Sequence, residues 1–311
     1  MQVVQISRYG GNEVVEVQGG MPQPVPAPGQ VLVEVHAAGV NPSDWKIREG
    51  LFKAWVPLTF PATLGGDFSG VVVEVGESVA NFKPGDEVYG RAGFGRGGSG
   101  SFAEYLVGEV GVMALKPKQL MHLEAAAMPL VGVSAWQALV EHIGLTKGQK
   151  VLIHGGAGGI GSAAVQLAKH LGAYVATTVA TKDVGFAKEL GADEVIDYQK
   201  QSFEKLIHDY DAVFDNVGGE VIAKSFSVLK KGGTLVSMAH PEATPPSELE
   251  LKVVPQQTEV TGERLQKLAE LLDSGVIKVH VDKAFPLPEA KEALAHMETG
   301  RPRGKVVLQV R

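Results

Sequence analysis

The sequence predicts an α/β chain in which a β-rich, barrel-like domain is joined to a doubly wound parallel sheet. Three observations carry that expectation. Residues 151–171, VLIHGGAGGIGSAAVQLAKHL, read as an apolar strand, a glycine turn and an amphipathic helix. From about residue 126 strand and helix patterns alternate, which requires parallel pairing with right-handed crossovers. Before that point the strand patterns are short and broken by Pro/Gly clusters, as in a compact β unit.

In the first part, strands are expected over 3–6, 14–17, 31–35 (VLVEV, alternating), 70–75 and 87–89, with turns at 22–29 and at Lys83-Pro84-Gly85-Asp86. The loop 91–101, RAGFGRGGSGS, reads either as a substrate lid or as a plain flexible connection. The apolar segment 125–140, interrupted by Pro129 and Gly132, is too short to span a bilayer and reads as a buried entry into a core.

In the alternating part, strands are expected over 174–178, 194–196, 212–214, 234–237 and 251–254, separated by helices over 184–190, 203–207 and 220–229. Leu265, Leu268, Ala269 and Leu272 share one helical face, and Gly275 stops that helix. A strand over 276–279, a short helix near 288–297 and a strand over 305–310 follow, the last returning to the first domain's sheet. The domains are therefore 1–125 together with 276–311, and 126–275.

Gly156, Gly158 and Gly161 stand in GxGxxG spacing, with Gly155, Gly159 and Ile160 completing the turn. Glycines permit a sharp turn and let a pyrophosphate approach bare amides, and the helix that opens there points its positive end at the phosphates. The spacing alone is weak in a chain with 39 Gly; the strand before it and the helix after it make it a dinucleotide site rather than a structural turn. An NAD-specific site ends its second strand on Asp or Glu, whereas this chain has Thr178-Val179-Ala180-Thr181-Lys182. A hydroxyl and a cation there favour the 2′-phosphate of NADPH, with Tyr198 after the third strand as a further candidate. The competing reading makes Lys182 a solvated lysine and Tyr198 a rim aromatic. Val217, Gly218, Ser237 and Met238 follow the fourth and fifth strands, where they flank the nicotinamide ribose.

Composition excludes several function classes. Of 311 residues, 44% are hydrophobic and 21% charged, a profile of globular rather than disordered protein. The net charge of -6, with no Lys/Arg block, argues against nucleic acid or an anionic membrane as partner. Zero Cys excludes disulfides, thiolate nucleophiles and Cys-ligated zinc, and the nine His have no paired spacing, so no metal site assembles by motif. The first residues enter a β pattern at once, which predicts a cytoplasmic protein.

The stretches AAGVNPSDWKIREG (37–50), FPATLGGDFSGVVVEVG (60–76), FKPGDEVYG (82–90), SFAEY (101–105), the glycine turn, LGADEVIDY (190–198), FDNVGG (214–219) and RGKVVLQV (303–310) together resemble the medium-chain dehydrogenase/reductase superfamily. Within it the chain resembles the zinc-independent quinone oxidoreductases related to zeta-crystallin. The resemblance implies a GroES-like domain wrapped around a Rossmann domain, a homodimer, and NADPH-dependent hydride delivery to a quinone or related α,β-unsaturated carbonyl. Zinc-dependent members carry Cys where Asn41 stands and a His-Glu pair where Gly66-Asp67 stands, so no catalytic zinc is expected. Asn41 is placed by the resemblance near nicotinamide and acceptor, where its amide would steady charge on the acceptor oxygen; the other reading is a turn residue before Pro42. Asp67 reads as a paired structural carboxylate, Ser134 as a hydroxyl near the nicotinamide, and Lys305 as a cofactor contact or a solvent-facing lysine. No general acid stands out; Tyr9 and Tyr105 are conceivable in a 2-alkenal or enoyl reductase, and a non-catalytic NADPH-binding redox sensor is the alternative from another class.

Overall fold

A computed structural model of the chain describes residues 1–93, 99–239 and 243–311. Most of the candidate lid, residues 94–98, lies outside the described residues. The elements begin with β1 (Val3–Ile6), β2 (Glu16–Gln18), β3 (Gln30–Val40), α1 (Pro42–Arg48), β4 (Ala62–Thr63), β5 (Asp67–Val75), β6 (Glu87–Arg91), β7 (Tyr105–Glu109), β8 (Met113–Leu115), α2 (His122–Ala126) and α3 (Pro129–Trp136). They continue with β9 (Lys150–His154), α4 (Gly159–His170), β10 (Tyr174–Val179), α5 (Val184–Glu189), β11 (Glu194–Asp197), β12 (Tyr210–Asp215), α6 (Glu220–Ser225), β13 (Leu229–Ser237), β14 (Lys252–Pro255), α7 (Gly262–Asp273), β15 (Val281–Pro286), α8 (Ala290–Glu298) and β16 (Lys305–Gln309).

The chain divides into two compact units, one of Met1–Leu130, Val260–Ser274 and Val279–Arg311, the other of Val131–Glu259 and Gly275–Lys278. In the first, β3 is the hub: it pairs antiparallel with β5, β7 and β16. Its apolar residues explain why. Val31, Val33 and Val35 pack with Phe68, Val72, Leu106 and Met113, while Ala38 and Val40 pack with Ile6, Leu64, Phe102, Val306 and Leu308. Each Val, Leu, Ile, Phe or Met side chain among them contributes roughly 1.5–3 kcal/mol by leaving water. Register sets one end of this sheet: Gly39 faces Asp67, Asp67 faces Arg91, and Val306 faces Val40, leaving Asn41 and Lys305 one step beyond their paired neighbours.

In the second unit the strand order is β11-β10-β9-β12-β13-β14, all parallel. Successive strands build outward from β9 to one side and then from β12 to the other, so the switch in strand order falls between β9 and β12. Leu152, Ala176, Val213 and Leu235 from four strands share a core with Ile222 and Phe226.

Several expected elements come out differently. Residues 276–279 form no strand, because the backbone of Lys278 pairs with the Gln166 side chain at 2.9 and 3.1 Å rather than with a neighbouring strand; the strand of the tail is β15. The helix expected over 203–207 is a single 3-10 turn, Phe203–Lys205, since the chain reverses at Asp209 with φ 60 to enter β12. Likewise α6 ends at Ser225, and Leu229 already belongs to β13. The strand expected over 14–17 starts only at Glu16, after a 3-10 turn at Asn12–Val14. Val260–Ser274, assigned from sequence to the dinucleotide domain, clusters with the first unit: the Tyr89 hydroxyl donates to Leu265 O at 2.5 Å, and Gln119 N donates to Asp273 at 3.0 Å. The expected strand at the C-terminal end joins the first unit's sheet as β16, antiparallel to β3.

Candidate active site

The glycine turn lies at the carboxyl end of β9, beside the switch point. Gly155 takes φ +70, a conformation only glycine adopts without strain. A Cβ on Gly156 would overlap Thr177 Oγ1, and one on Gly161 would overlap Gly155 O, so neither position admits a side chain. Thr177 is fixed by donating its hydroxyl to Ile153 O at 2.7 Å. Gly158 caps α4 with no side-chain hydrogen bond, and Gly159, Ile160 and Gly161 form its first turn. First-turn amides have no intrahelical acceptor and carry the positive end of the helix dipole. A pyrophosphate fits this edge: it meets bare backbone and uncapped donors. Behind the turn, His154 is buried with Nδ1 at 3.0 Å from Thr178 Oγ1 and Nε2 at 2.9 Å from Ser225 Oγ. Burial pushes its pKa down to about 4, so it is a neutral pin.

The other candidates of this unit fall at the carboxyl ends of neighbouring strands. Thr181 and Lys182 follow β10 and are exposed; Tyr198 follows β11 and is 59% exposed. The end of β10 carries no Asp or Glu of its own, but a carboxylate reaches it from the neighbouring strand. Parallel register pairs Val179 with Asp197, and the Thr181 hydroxyl donates to Asp197 at 2.6 Å. That hydrogen bond, with others from Gln199 N and Lys200, holds the Asp197 carboxyl below its ordinary range. Thr181 therefore has no hydroxyl proton left for a phosphate, and Asp197 is already engaged.

Val217, Gly218, Ser237 and Met238 are brought together by one residue that sequence reasoning missed. The fully buried Asp215 accepts from Val217 N at 3.0 Å, Gly218 N at 3.1 Å and Ser237 Oγ at 2.7 Å, while its carbonyl accepts from Met238 N. Val217 itself stays 58% exposed at the rim. Ser134 is buried on α3, its hydroxyl 2.7 Å from Thr258 Oγ1 and its carbonyl accepting from Gln256 at 3.0 Å.

The first unit carries a second constellation at the end of its sheet. Asn41 precedes Pro42, the first residue of α1, and its backbone N–H donates to the Asp44 carboxylate at 2.7 Å. Asn41 thus holds the turn before α1 and also enters a polar cluster. Its Nδ2 donates to Asp67 at 2.9 Å, and its Oδ1 accepts from Lys305 Nζ at 2.5 Å. The flanking groups fix the amide's orientation, since an ammonium only donates and an ionised carboxylate only accepts. Asp67 also accepts from Arg91 Nη1 at 3.0 Å and from Leu130 N at 3.2 Å, which matches its reading as a paired structural carboxylate. Asn41 and Asp67 are fully buried, and Asp44 and Lys305 are each 3% exposed. Only Arg91 reaches solvent, with 26% of its side chain exposed.

Of the two readings of Lys305, the cluster removes one. Lys305 does not face solvent; it is buried, donating to Val40 O and Asn41, and burial lowers its pKa. The Asn41 amide is buried and engaged at both ends inside the protein, by Asp67 and by Lys305. Burial raises the Asp44 pKa to about 7, partly opposed by the Asn41 N–H and by Arg91. Of the two tyrosines, the Tyr9 oxygen accepts from Leu58 N, and Tyr105 donates to Glu34, a hydrogen bond that raises its pKa. Asp44 had a local sequence signal in Asn-Pro-x-Asp, a helix N-terminus pattern; Arg91 and Asp215 had none beyond their place at strand ends.

Residues 27–118 match the family described as alcohol dehydrogenase GroES-like domain, and residues 190–308 the family described as zinc-binding dehydrogenase. A 2-methylene-furan-3-one reductase from Solanum lycopersicum is 40% identical over 317 residues, covering 99% of this chain and 79% of the relative. An Arabidopsis thaliana protein named NADPH-dependent alkenal/one oxidoreductase, chloroplastic, is 38% identical over 310 residues, covering 97% of this chain and 78% of its own. The solved quinone oxidoreductase from Coxiella burnetii superposes with a TM-score of 0.90 at 36% identity, covering 100% of this chain and 99% of that one. A GroES-like unit and a doubly wound dinucleotide unit, matched over nearly the full length by such relatives, place this chain in the quinone oxidoreductase-like family of medium-chain dehydrogenases/reductases.

Proposed function

We propose that the chain is an NADPH-dependent reductase that passes hydride to a quinone or a related α,β-unsaturated carbonyl without a catalytic zinc. The observation that carries the reading is the uncapped glycine turn at the switch point of the parallel sheet, where side chains are excluded at Gly156 and Gly161. The named activities of the relatives support the acceptor class. Reduced nicotinamide supplies the hydride when bound. The chain's own residues bind and orient: first-turn amides of α4 take the pyrophosphate, and Tyr198 and Lys182 line the adenosine side. Val217, Gly218, Ser237 and Met238, tied to Asp215, shape the nicotinamide end, with Ser134 as a further candidate contact. Such positioning accounts for most of the rate in hydride transfer.

NADPH is favoured over NADH because β10 runs into Thr181 and Lys182 with no Asp or Glu at its end, while the Asp197 carboxylate of the neighbouring strand is tied to Thr181 and Lys200. The donor set argues against zinc. The Asn41 oxygen is taken by Lys305 and the Asp67 carboxylate by Arg91, Asn41 and Leu130 N, so a dication would sit beside two cationic side chains. Among the described residues no group of three or more His, Cys, Asp or Glu is placed to hold a metal. With no acid group assigned, water supplies the proton. The same reading carries the expectation of a cytoplasmic homodimer, built by edge pairing of the parallel sheets, and no described helix is long and apolar enough to cross a membrane.

The test is steady-state oxidation of NADPH and NADH, in parallel, with 1,4-benzoquinone, 9,10-phenanthrenequinone and a short 2-alkenal, with and without a chelator. Chelator-insensitive turnover with NADPH preferred is expected. NADPH binding without turnover of any acceptor would favour a redox sensor instead.

A further inference from the structure

His154, the last residue of β9, stands directly before the glycine turn, its ring buried with Phe203 edge-on at a centroid distance of 4.6 Å. Val151, Leu152 and Ile153 ahead of it are fully buried, and an imidazole in that run gives up hydration that a further apolar side chain would not. Its hydrogen bonds fix the tautomer. The Ser225 hydroxyl donates to Val221 O at 2.7 Å, so its oxygen, 2.9 Å from His154 Nε2, can only accept, and Nε2 carries the proton. Burial outweighs the opposing charge of Asp215 and keeps the ring neutral, which leaves Nδ1 bare to accept the Thr178 hydroxyl at 3.0 Å. With its proton committed there, Thr178 Oγ1 turns a lone pair to Gly155 N, 3.4 Å away, which also donates to Thr178 O at 3.1 Å. The donors thus run in one direction, from Gly155 N through Thr178 and His154 to Ser225 and Val221 O. The other tautomer would leave the Thr178 hydroxyl proton with no acceptor among the described residues.

We propose that His154 is a positioning residue for the dinucleotide: by orienting the Thr178 hydroxyl it holds the Gly155 amide, and with it the turn that receives the pyrophosphate. The inference rests on the dinucleotide part of the function proposed above and adds a residue that the GxGxxG pattern does not contain. Gly155, at φ +70, is where the chain leaves β9, and Gly156 N donates to the same Thr178 carbonyl at 3.2 Å. Gly158 N donates back to Gly155 O at 3.0 Å, so a displacement of Gly155 is passed to the start of α4, whose first-turn amides must face the phosphates. The same residue steadies the loop after β12, because His154 O accepts from Asn216 Nδ2 at 3.0 Å, next to Val217 and Gly218.

Two substitutions separate the two arms of the ring. His154→Asn offers an amide oxygen near the place of Nδ1 and can still accept from Thr178, whereas His154→Gln reaches toward Ser225 and offers Thr178 nothing. Each loses one of the two ring hydrogen bonds, so both lower the thermal midpoint. The NADPH dissociation constant, read by fluorescence, should rise roughly tenfold in His154→Gln, the effect of one lost neutral hydrogen bond, and by no more than about threefold in His154→Asn. Thr178→Val, which keeps the branched shape, should match His154→Gln, and the double variant should bind no more weakly than either single one. Two readouts need no cofactor. NMR of the labelled ring nitrogens at neutral pH should show Nε2 protonated and Nδ1 bare, and hydrogen exchange at Gly155 N should be faster in His154→Gln than in wild type. Equal dissociation constants in the Asn and Gln variants, unchanged exchange at Gly155 N, or a proton on Nδ1 overturns the proposal. Should wild type bind no NADPH, the dinucleotide reading fails, and the tautomer and the exchange rate still decide whether His154 holds the turn.

Discussion

Replacing Asp44 by Asn should stabilise the protein above neutral pH and leave it nearly unchanged in acid. Asp44 is 3% exposed, and burial raises its pKa from 3.8 to about 7. The folded state therefore holds the proton more tightly than the unfolded chain does, so the stability linked to it is present below pH 3.8 and lost as pH rises through about 7. Raising the pKa from 3.8 to about 7, at about 1.36 kcal/mol per pH unit, amounts to about 4 kcal/mol over the whole window, of which more than half falls between about pH 5 and about pH 8. An amide oxygen at position 44 can still accept from Asn41 N, so the start of α1 survives. Urea unfolding of wild type and Asp44→Asn near both pH values gives the result, and titration of other groups cancels in the comparison. The expected outcome is a difference that moves in favour of the variant by about 2–3 kcal/mol on going from acid to base. A difference independent of pH would refute the reasoning, because Asp44 would then be ionised in the folded protein throughout.

Other expectations follow from the same geometry. Gly156→Ala should cost about 2–4 kcal/mol, since the new methyl displaces Thr177 from its hydrogen bond to Ile153 O, and should weaken NADPH binding measured by fluorescence. For His154 the sign is opposite to that of Asp44: its folded pKa of about 4 lies below 6.5, so about 3 kcal/mol of stability is lost as pH falls from 6.5 to about 4, and His154→Gln should flatten that limb of the unfolding profile. Asp197→Asn should raise the NADPH over NADH ratio of kcat/KM roughly fivefold, because removing a carboxylate from the Thr181–Lys200 group takes a like charge away from the 2′-phosphate.

Local spacing made the dinucleotide edge legible. A GxGxxG turn needs only residues 155–161 and the strand and helix that flank them, all within one continuous stretch. The return of the last strand to the first sheet was legible too, from an apolar run with no partner nearby. What stayed hidden depends on which strands lie side by side. Asp197 reaches Thr181 across a parallel pairing, Asp215 ties two loops together, and Lys305 meets Asn41 across 264 positions of sequence. Arg91 read as the start of a flexible loop because its counter-charge, Asp67, lies on the neighbouring strand. Asn41 was legible as a candidate but not as a buried residue, since burial of a polar side chain depends on partners that only the fold supplies.

The central claim is hydride delivery from the nicotinamide to carbon of a conjugated acceptor. Single-turnover reduction of a 2-alkenal with NADPH carrying deuterium at both C4 positions, run in ordinary water and in the presence of a chelator, tests it most directly. The account predicts one deuterium per product molecule, located at the β-carbon, with the yield unaffected by chelation. Product carrying no deuterium, or a reaction abolished by the chelator, would contradict it.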